Sequence, residues 1–324
     1  MTTFINDLPP GFGKQVVSCR LESIQEIVEA ATFLQSDYWC YRGHYIADWS
    51  LTTSLERKFN GVVIDAKAER NAIADFQNLT WTLLPHVERL VDTLAAMQHY
   101  GVPTRLLDFS RSFLVALHFA FDRGLNNENL GDHAIWAINT EIAIQNSEPI
   151  RQSIHDEIEN NKDQIERIGS TVPCDMEKVV FDSSFDELRM DAHARIDRTT
   201  ELAEWLLRGS APHFESGILP IDIRGTNLRI AAQNGMFIMT TDFSSFENSL
   251  ANSFGLHSDL KNMEMLSLPQ LRKALFNETN LSIIKFLVPD TIKGDVKRLL
   301  SAANISYARL FPDLSGIASS IHYI

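Results

Sequence analysis

Gln98-His99-Tyr100-Gly101-Val102-Pro103-Thr104-Arg105-Leu106-Leu107-Asp108-Phe109-Ser110 joins two unlike stretches of chain, and its reading decides the fold. Upstream, Val87, Leu90, Val91, Leu94 and Met97 recur at helical spacing after Pro85, so a helix runs into the segment. Gly101 stands where a left-handed C-terminal cap belongs, and Pro103 forbids continuation. Residues 102–109 are therefore expected to be extended. Asp108 and Ser110 are both competent N-caps for the helix expected over 112–122, which Gly124 ends. That helix is apolar almost all round, from Phe113 to Phe121, and should lie buried.

The same reading extends outward. Ile24, Ile27, Val28, Ala31 and Leu34 predict a helix over 23–34, and Tyr38-Trp39-Cys40-Tyr41 a short aromatic strand ending in Arg42-Gly43-His44. A helix is expected over 65–79. Strands are expected at 134–138, 219–223, 235–241 and 282–288, and a last helix runs from Pro289-Asp290 to about residue 303. Residues 1–20 carry Pro9, Pro10, Gly11 and Gly13 and read as an irregular lead-in. Residues 140–208 are polar, acidic and helical in pattern, with candidate helices at 153–168 and 185–207. The expected class is α+β: a mixed sheet of short strands with surrounding helices and a helical insertion at about 140–210. A lead-in and helix over 1–37 would precede one domain over 38–324.

The 324 residues, 44% hydrophobic and 22% charged, are ample for a buried core. No apolar run reaches the roughly 18 residues of a spanning helix, so no membrane association is expected. Residues 1–20 lack the charged and apolar regions of a secretory leader. Cys19, Cys40 and Cys174 are odd in number and form no C-x-x-C, which fits a reducing cytoplasm. A net charge of −13 does not support nucleic-acid binding, because a polyanion would be repelled overall. The cations that matter should be few and set in a site, which directs attention to Arg42, Arg57, Arg105, Arg111 and Arg229.

Two constellations stand out. In Tyr41-Arg42-Gly43, a guanidinium ends an apolar strand, where burial is costly unless it meets an anion. Its fork suits carboxylate or phosphate, and the adjacent glycine leaves room for a ligand at the backbone. The alternative is an internal salt bridge, for example to Asp108. The second is the opening segment itself, whose density of polar and aromatic groups means either a ligand site or a hydrogen-bonded network. Free N–H groups before the 112–122 helix could receive phosphate, and His99 and Asp108 could form a structural pair.

Together these segments resemble the FRG domain family, named for an (F/Y)-R-G motif. Tyr41-Arg42-Gly43 is followed by Trp49-x-Leu51 and Ser54-Leu55-x-Arg57. Next come the long signature Gln98 to Asp108 and then Ala116-x-x-Phe119-Ala120. Arg229-Ile230-x-x-Gln233-x-Gly235-x-Phe237 and Leu310-Phe311-Pro312-Asp313-Leu314 are similar to further family features. The resemblance implies a bacterial protein, a toxin or effector in conflict or phage defence.

A remoter resemblance is to ADP-ribosyltransferases. There an aromatic-Arg-Gly strand end holds NAD, a Ser-containing strand leads into a helix, and a third strand carries a catalytic Glu. This chain offers Tyr41-Arg42-Gly43, then Asp108-Phe109-Ser110-Arg111-Ser112, then Gln233-x-Gly235, with Gly235 where that Glu would stand. The resemblance implies NAD as cofactor and catalytic roles for Asp108, Ser110 and Gln233. Tyr41, Arg42, Gly43, Gln98, His99, Thr104, Arg105 and Arg229 are then the expected ligand-binding set. The partners would be a nucleotide-like small molecule and a macromolecular target. A non-catalytic nucleotide or phospho-ligand sensor is the rival expectation, and a purely structural network is a third. A Cys40–His99–Asp108 hydrolase has the residue types but no nucleophile signature. No metal site is expected, since no Cys or His pair has ligand spacing.

Overall fold

In a computed structural model of the protein, the residues described are 15–34, 38–59, 65–84, 87, 89–122, 131–147, 192–208, 216–223, 228–256, 260, 263–276 and 281–320. Eight strands among them form one mixed sheet: β1 (Gln15–Arg20), β2 (Trp39–His44), β3 (Leu106–Ser110), β4 (Asp132–Asn139), β5 (Ile218–Ile221), β6 (Gly235–Thr240), β7 (Glu264–Leu266) and β8 (Leu281–Pro289). Their order is β5-β6-β3-β2-β4-β8-β1-β7. Helices α1 (Ile24–Phe33), α2 (Ser54–Lys58), α3 (Ala66–Thr80), α4 (Leu90–His99), α5 (Phe113–Phe121), α6 (Thr140–Gln145) and α7 (Ala192–Arg208) surround it. So do α8 (Leu228–Ala232), α9 (Phe246–Phe254), α10 (Leu268–Phe276), α11 (Lys293–Ala302), α12 (Tyr307–Leu310) and α13 (Leu314–Ser320). The class is α+β, as the sequence predicts. Among the described residues no helix is long and apolar enough to cross a membrane.

Period-two alternation builds the core on both faces. Along β4, Ile135 and Ala137 point into one apolar cluster with Tyr41, Phe113, Ala116 and Phe286, under α5. Trp136 and Ile138 point to the opposite cluster, with Cys40, Leu107, Phe109 and Phe246. A third cluster joins Leu94 and Met97 of α4 to Leu106, Phe237, Met239 and Leu202, Leu206 of α7. A sheet buried on both sides reads as continuous apolar runs, which is how β4 and β8 look in sequence.

The sheet has a weak seam. Antiparallel β2 and β4 stay registered from Trp39↔Asn139 to His44↔Ala134. On the other flank, β2 meets β3 only at Tyr41↔Ser110. Past that pair the two strands part, so Arg42, Gly43 and His44 border an opening.

The cap expected at Gly101 is present and the one expected before α5 is corrected; Gly124 lies outside the described residues. Gly101 is left-handed (φ 84°), with Val102 N–H bonded to Met97 O at 2.9 Å and Gly101 N–H to Gln98 O at 3.0 Å, a Schellman ending for α4. Before α5 the N-cap is Ser112, accepting from Val115 N–H, rather than Asp108 or Ser110. Those two are still in β3, because pairing with β6 extends the strand to Ser110. The lead-in expected over 1–20 contains β1, which pairs parallel with β8. Val87 precedes α4 rather than belonging to it. The helix expected at 153–168 lies outside the described residues, while α7 covers the described part of 185–207. Glu204 of α7 caps α4, accepting from Leu90 and Val91 N–H at 3.0 Å each.

Candidate functional site

The opening at the seam is a cavity of about 820 Å³. It is lined by Arg42, His44 and Tyr45 from β2 and its end, Trp49 and Arg57 from the following loop and α2, and Gln98 and His99 from α4. Asp108 and Ser110 of β3, Phe119 of α5, the Arg229–Phe237 segment and Phe311 complete the wall. It thus gathers Tyr41, Arg42, Gly43, Gln98, His99, Asp108, Ser110, Arg229 and Gln233 of the predicted set. Thr104 and Arg105 of that set are buried behind it.

Arg42 is held at two points. Nη1 donates to Asp108 O at 2.8 Å, using a strand carbonyl left open by the seam, and Nε donates to His44 Nε2 at 3.2 Å. The Asp108 carboxylate stands 3.7 Å from Nη1, so the internal pair anticipated as an alternative is present, but loosely. Burial pulls the Arg42 pKa below the ordinary guanidinium value; Asp108 opposes this and Arg57 adds to it. His44 follows the same logic: burial, then Arg42, push it down to about 3, so its ring is neutral.

Asp108 is the exposed position in an otherwise buried strand. Its carboxylate accepts from Gln98 Nε2 at 2.6 Å. A carboxylate cannot donate, so the Gln98 amide nitrogen must face it, and the amide oxygen then accepts from the Thr104 hydroxyl. This Thr104–Gln98–Asp108 chain explains three polar residues of the opening segment at once. His99, expected as a partner of Asp108, instead packs edge-on to Tyr100, with ring centroids 4.9 Å apart. Burial and then Arg229 lower its pKa, against the pull of Asp313.

Other predicted residues have structural duties. The Ser110 hydroxyl donates to Gln233 O at 2.6 Å and accepts from Ser112 N–H at 3.0 Å, closing the strand-to-helix turn. Gln233 Nε2 donates to Leu310 O at 3.1 Å. Arg229 pairs with Asp313 and lies over the Phe311 ring, 5.2 Å from its centroid. The last two sequence blocks therefore lock together, and Phe311 becomes a wall of the cavity. The Tyr41 hydroxyl donates to Leu34 O at 2.8 Å.

Gly43 calls for a correction. The space a side chain would take is filled by α5, since a Cβ there would lie 2.0 Å from Ala116 O and 2.6 Å from Ala120 N. The glycine is needed for helix-on-strand contact, and its missing side chain opens no space there, while its backbone borders the cavity. Arg105 is engaged at both Nη atoms: Nη2 pairs with Glu69 at 2.9 Å, and Nη1 donates to Thr240 O and Thr241 O at 2.9 and 3.1 Å. Cys40 is buried on the face away from α5 with its Sγ against Ile138 O, and burial pushes its thiol well up, which removes it as a nucleophile.

A family model of the FRG domain matches residues 37–129. The chain carries an FRG domain. The match covers β2, α4, β3 and α5, hence Arg42, His44, Gln98 and Asp108, and leaves the Arg229, Gln233 and Phe311 wall outside it. No curated protein and no solved structure matches the chain.

Several lining residues lie outside the predicted set, among them His44, Tyr45, Asp122 and Phe311. His44 lies two residues beyond Arg42 on one strand, so alternation alone puts both on the same face. Phe311 stood only in the terminal block of the family resemblance, and folding is what brings it to the cleft.

Proposed function

We propose that the FRG-domain cleft binds a nucleotide by its phosphates at Arg42 and that Asp108 acts on the sugar, in the manner of an NAD-cleaving ADP-ribosyltransferase. One observation carries the reading. A guanidinium and a carboxylate, 3.7 Å apart, face a single cleft, and each is also fixed by an uncharged side chain, His44 for Arg42 and Gln98 for Asp108. Preorganised charge of this kind is what stabilises charge developing in a transition state.

The cavity's size falls within the roughly 300–1,000 Å³ of small-molecule sites. Tyr45, Trp49, Phe237 and Phe311 offer aromatic surface for bases, and Arg42 and Arg57 offer donors for a diphosphate. These residues fit NAD, which would supply a ribose–nicotinamide bond already primed to break. Asp108, held by Gln98, would face the positive charge that grows on the ribose. The adjacency of β2, β3 and β6, the three strands bearing the motifs, supports the same reading. Asp108 and Asp122 are the carboxylates lining the cleft among the described residues, and Gly235 contributes none.

The second reading, a nucleotide-binding module without turnover, is favoured by one fact: Ser110 and Gln233 spend their polar groups on the fold. Incubation with NAD separates the two. Release of nicotinamide, or labelling of a macromolecule, that disappears in Asp108→Asn supports catalysis. Thermal stabilisation by NAD without product supports the binding module. Neither effect from NAD, ADP-ribose or ADP would overturn both.

A further inference from the structure

Arginine has no acceptor, so at the Arg42–His44 contact the imidazole Nε2 must be the acceptor and carry no proton. The ring proton then sits on Nδ1, which lies 3.2 Å from Trp49 O and donates to it. Both ring nitrogens are thereby used, and the ring is 5% exposed, edge-on to Trp49 at 6.2 Å. Charged groups acting on it come from three elements: Arg42 of β2, Arg57 of α2 and Lys285 of β8. No carboxylate acts on the ring itself, although Asp108 stands 3.7 Å from Arg42 Nη1 and Asp48 and Glu247 act on Lys285.

The consequence lies in which edge of Arg42 is left. A guanidinium grips an oxyanion either side-on, through Nε and one Nη, or end-on, through both Nη atoms. Here Nε is taken by His44 and one Nη1 proton by Asp108 O, while Nη2 has no hydrogen bond among the described residues. We infer that His44 is a positioning residue: by accepting from Nε it closes the side-on edge of Arg42 and turns the end-on edge to the cleft. This rests on the proposed anion site and specifies how that site grips its ligand. A charged partner in place of His44 would neutralise Arg42; a neutral acceptor aims it and leaves its charge for the ligand.

Two substitutions divide the two bonds of the ring. His44→Asn keeps a donor for Trp49 O but is too short to reach Arg42, whereas His44→Gln restores an acceptor near the Nε2 position. The first readout is the nitrogen-15 spectrum, with the Arg42 Nε–H identified as the cross-peak missing from Arg42→Lys. It is expected to couple through the hydrogen bond to an imidazole nitrogen, and His44→Asn is expected to remove that coupling. The second is titration with inorganic pyrophosphate. Loss of a hydrogen bond to a charged group predicts about tenfold to hundredfold weaker binding for His44→Asn. His44→Gln should recover most of it, which a merely structural histidine would not show. An absent coupling in the unaltered protein, or equal affinity in both variants, overturns the positioning role. Coupling present with no pyrophosphate bound overturns the anion site itself.

Discussion

Arg105 and Arg42 both come from the motifs of this chain, yet one region is closed and the other open. Around Arg105, a carboxylate and two backbone carbonyls engage the two Nη atoms, Phe243 covers the guanidinium at 4.9 Å, and solvent is excluded. Around Arg42 the partners are one carbonyl and a neutral imidazole, and the nearest carboxylate stands off at 3.7 Å. The difference teaches how to sort arginines in an uncharacterised site. A guanidinium whose charge is matched inside the protein holds the fold, and one whose charge is only aimed is available to a ligand.

The comparison breaks first, and hardest, at Arg105. Arg105→Ala leaves Glu69 buried and unpaired, so chemical denaturation should show about 3–5 kcal/mol lost. Arg42→Ala should lose less, roughly 1–2 kcal/mol, since it leaves the buried His44 Nε2 without a donor but uncovers no buried charge. Similar losses for both would erase the distinction. Next comes Asp108→Asn, which keeps the shape of the side chain and removes its charge. Nicotinamide release should fall about a hundredfold or more while NAD-induced stabilisation persists. Loss of binding instead would place Asp108 in recognition.

A smaller effect sharpens the account of how the open region is held. Glu204→Ala uncaps α4, the helix that carries Gln98, and should cost about 1–2 kcal/mol by thermal unfolding. The last is a pH dependence. Unfolded, His44 binds a proton near 6.5, whereas folded it does so only near 3, so between these values the unfolded state binds more protons. Stability should therefore fall as pH drops through that window, and His44→Gln should flatten the slope by one proton's worth. Identical slopes in the two proteins would contradict a neutral His44.

Much of this was readable from sequence because the governing interactions are local. The Gly101 turn and the apolar faces of α1, α4 and α5 follow from spacing within a few residues. The chain Thr104–Gln98–Asp108 spans one turn and was visible as a dense motif, though not as a relay. What was hidden depends on pairing. The parting of β2 from β3 is invisible until both strands are placed, and β1 is identified by β8, far along the chain. The packing constraint at Gly43 was hidden because it comes from α5, which packs across it from outside the motif.

The most direct test is calorimetric titration of ADP-ribose into the unaltered protein and into Arg42→Lys. Lysine keeps the charge but loses the end-on fork, so the account predicts binding to the former and an affinity at least about tenfold weaker for the latter. Equal affinity in the two, or no heat with either, would contradict it.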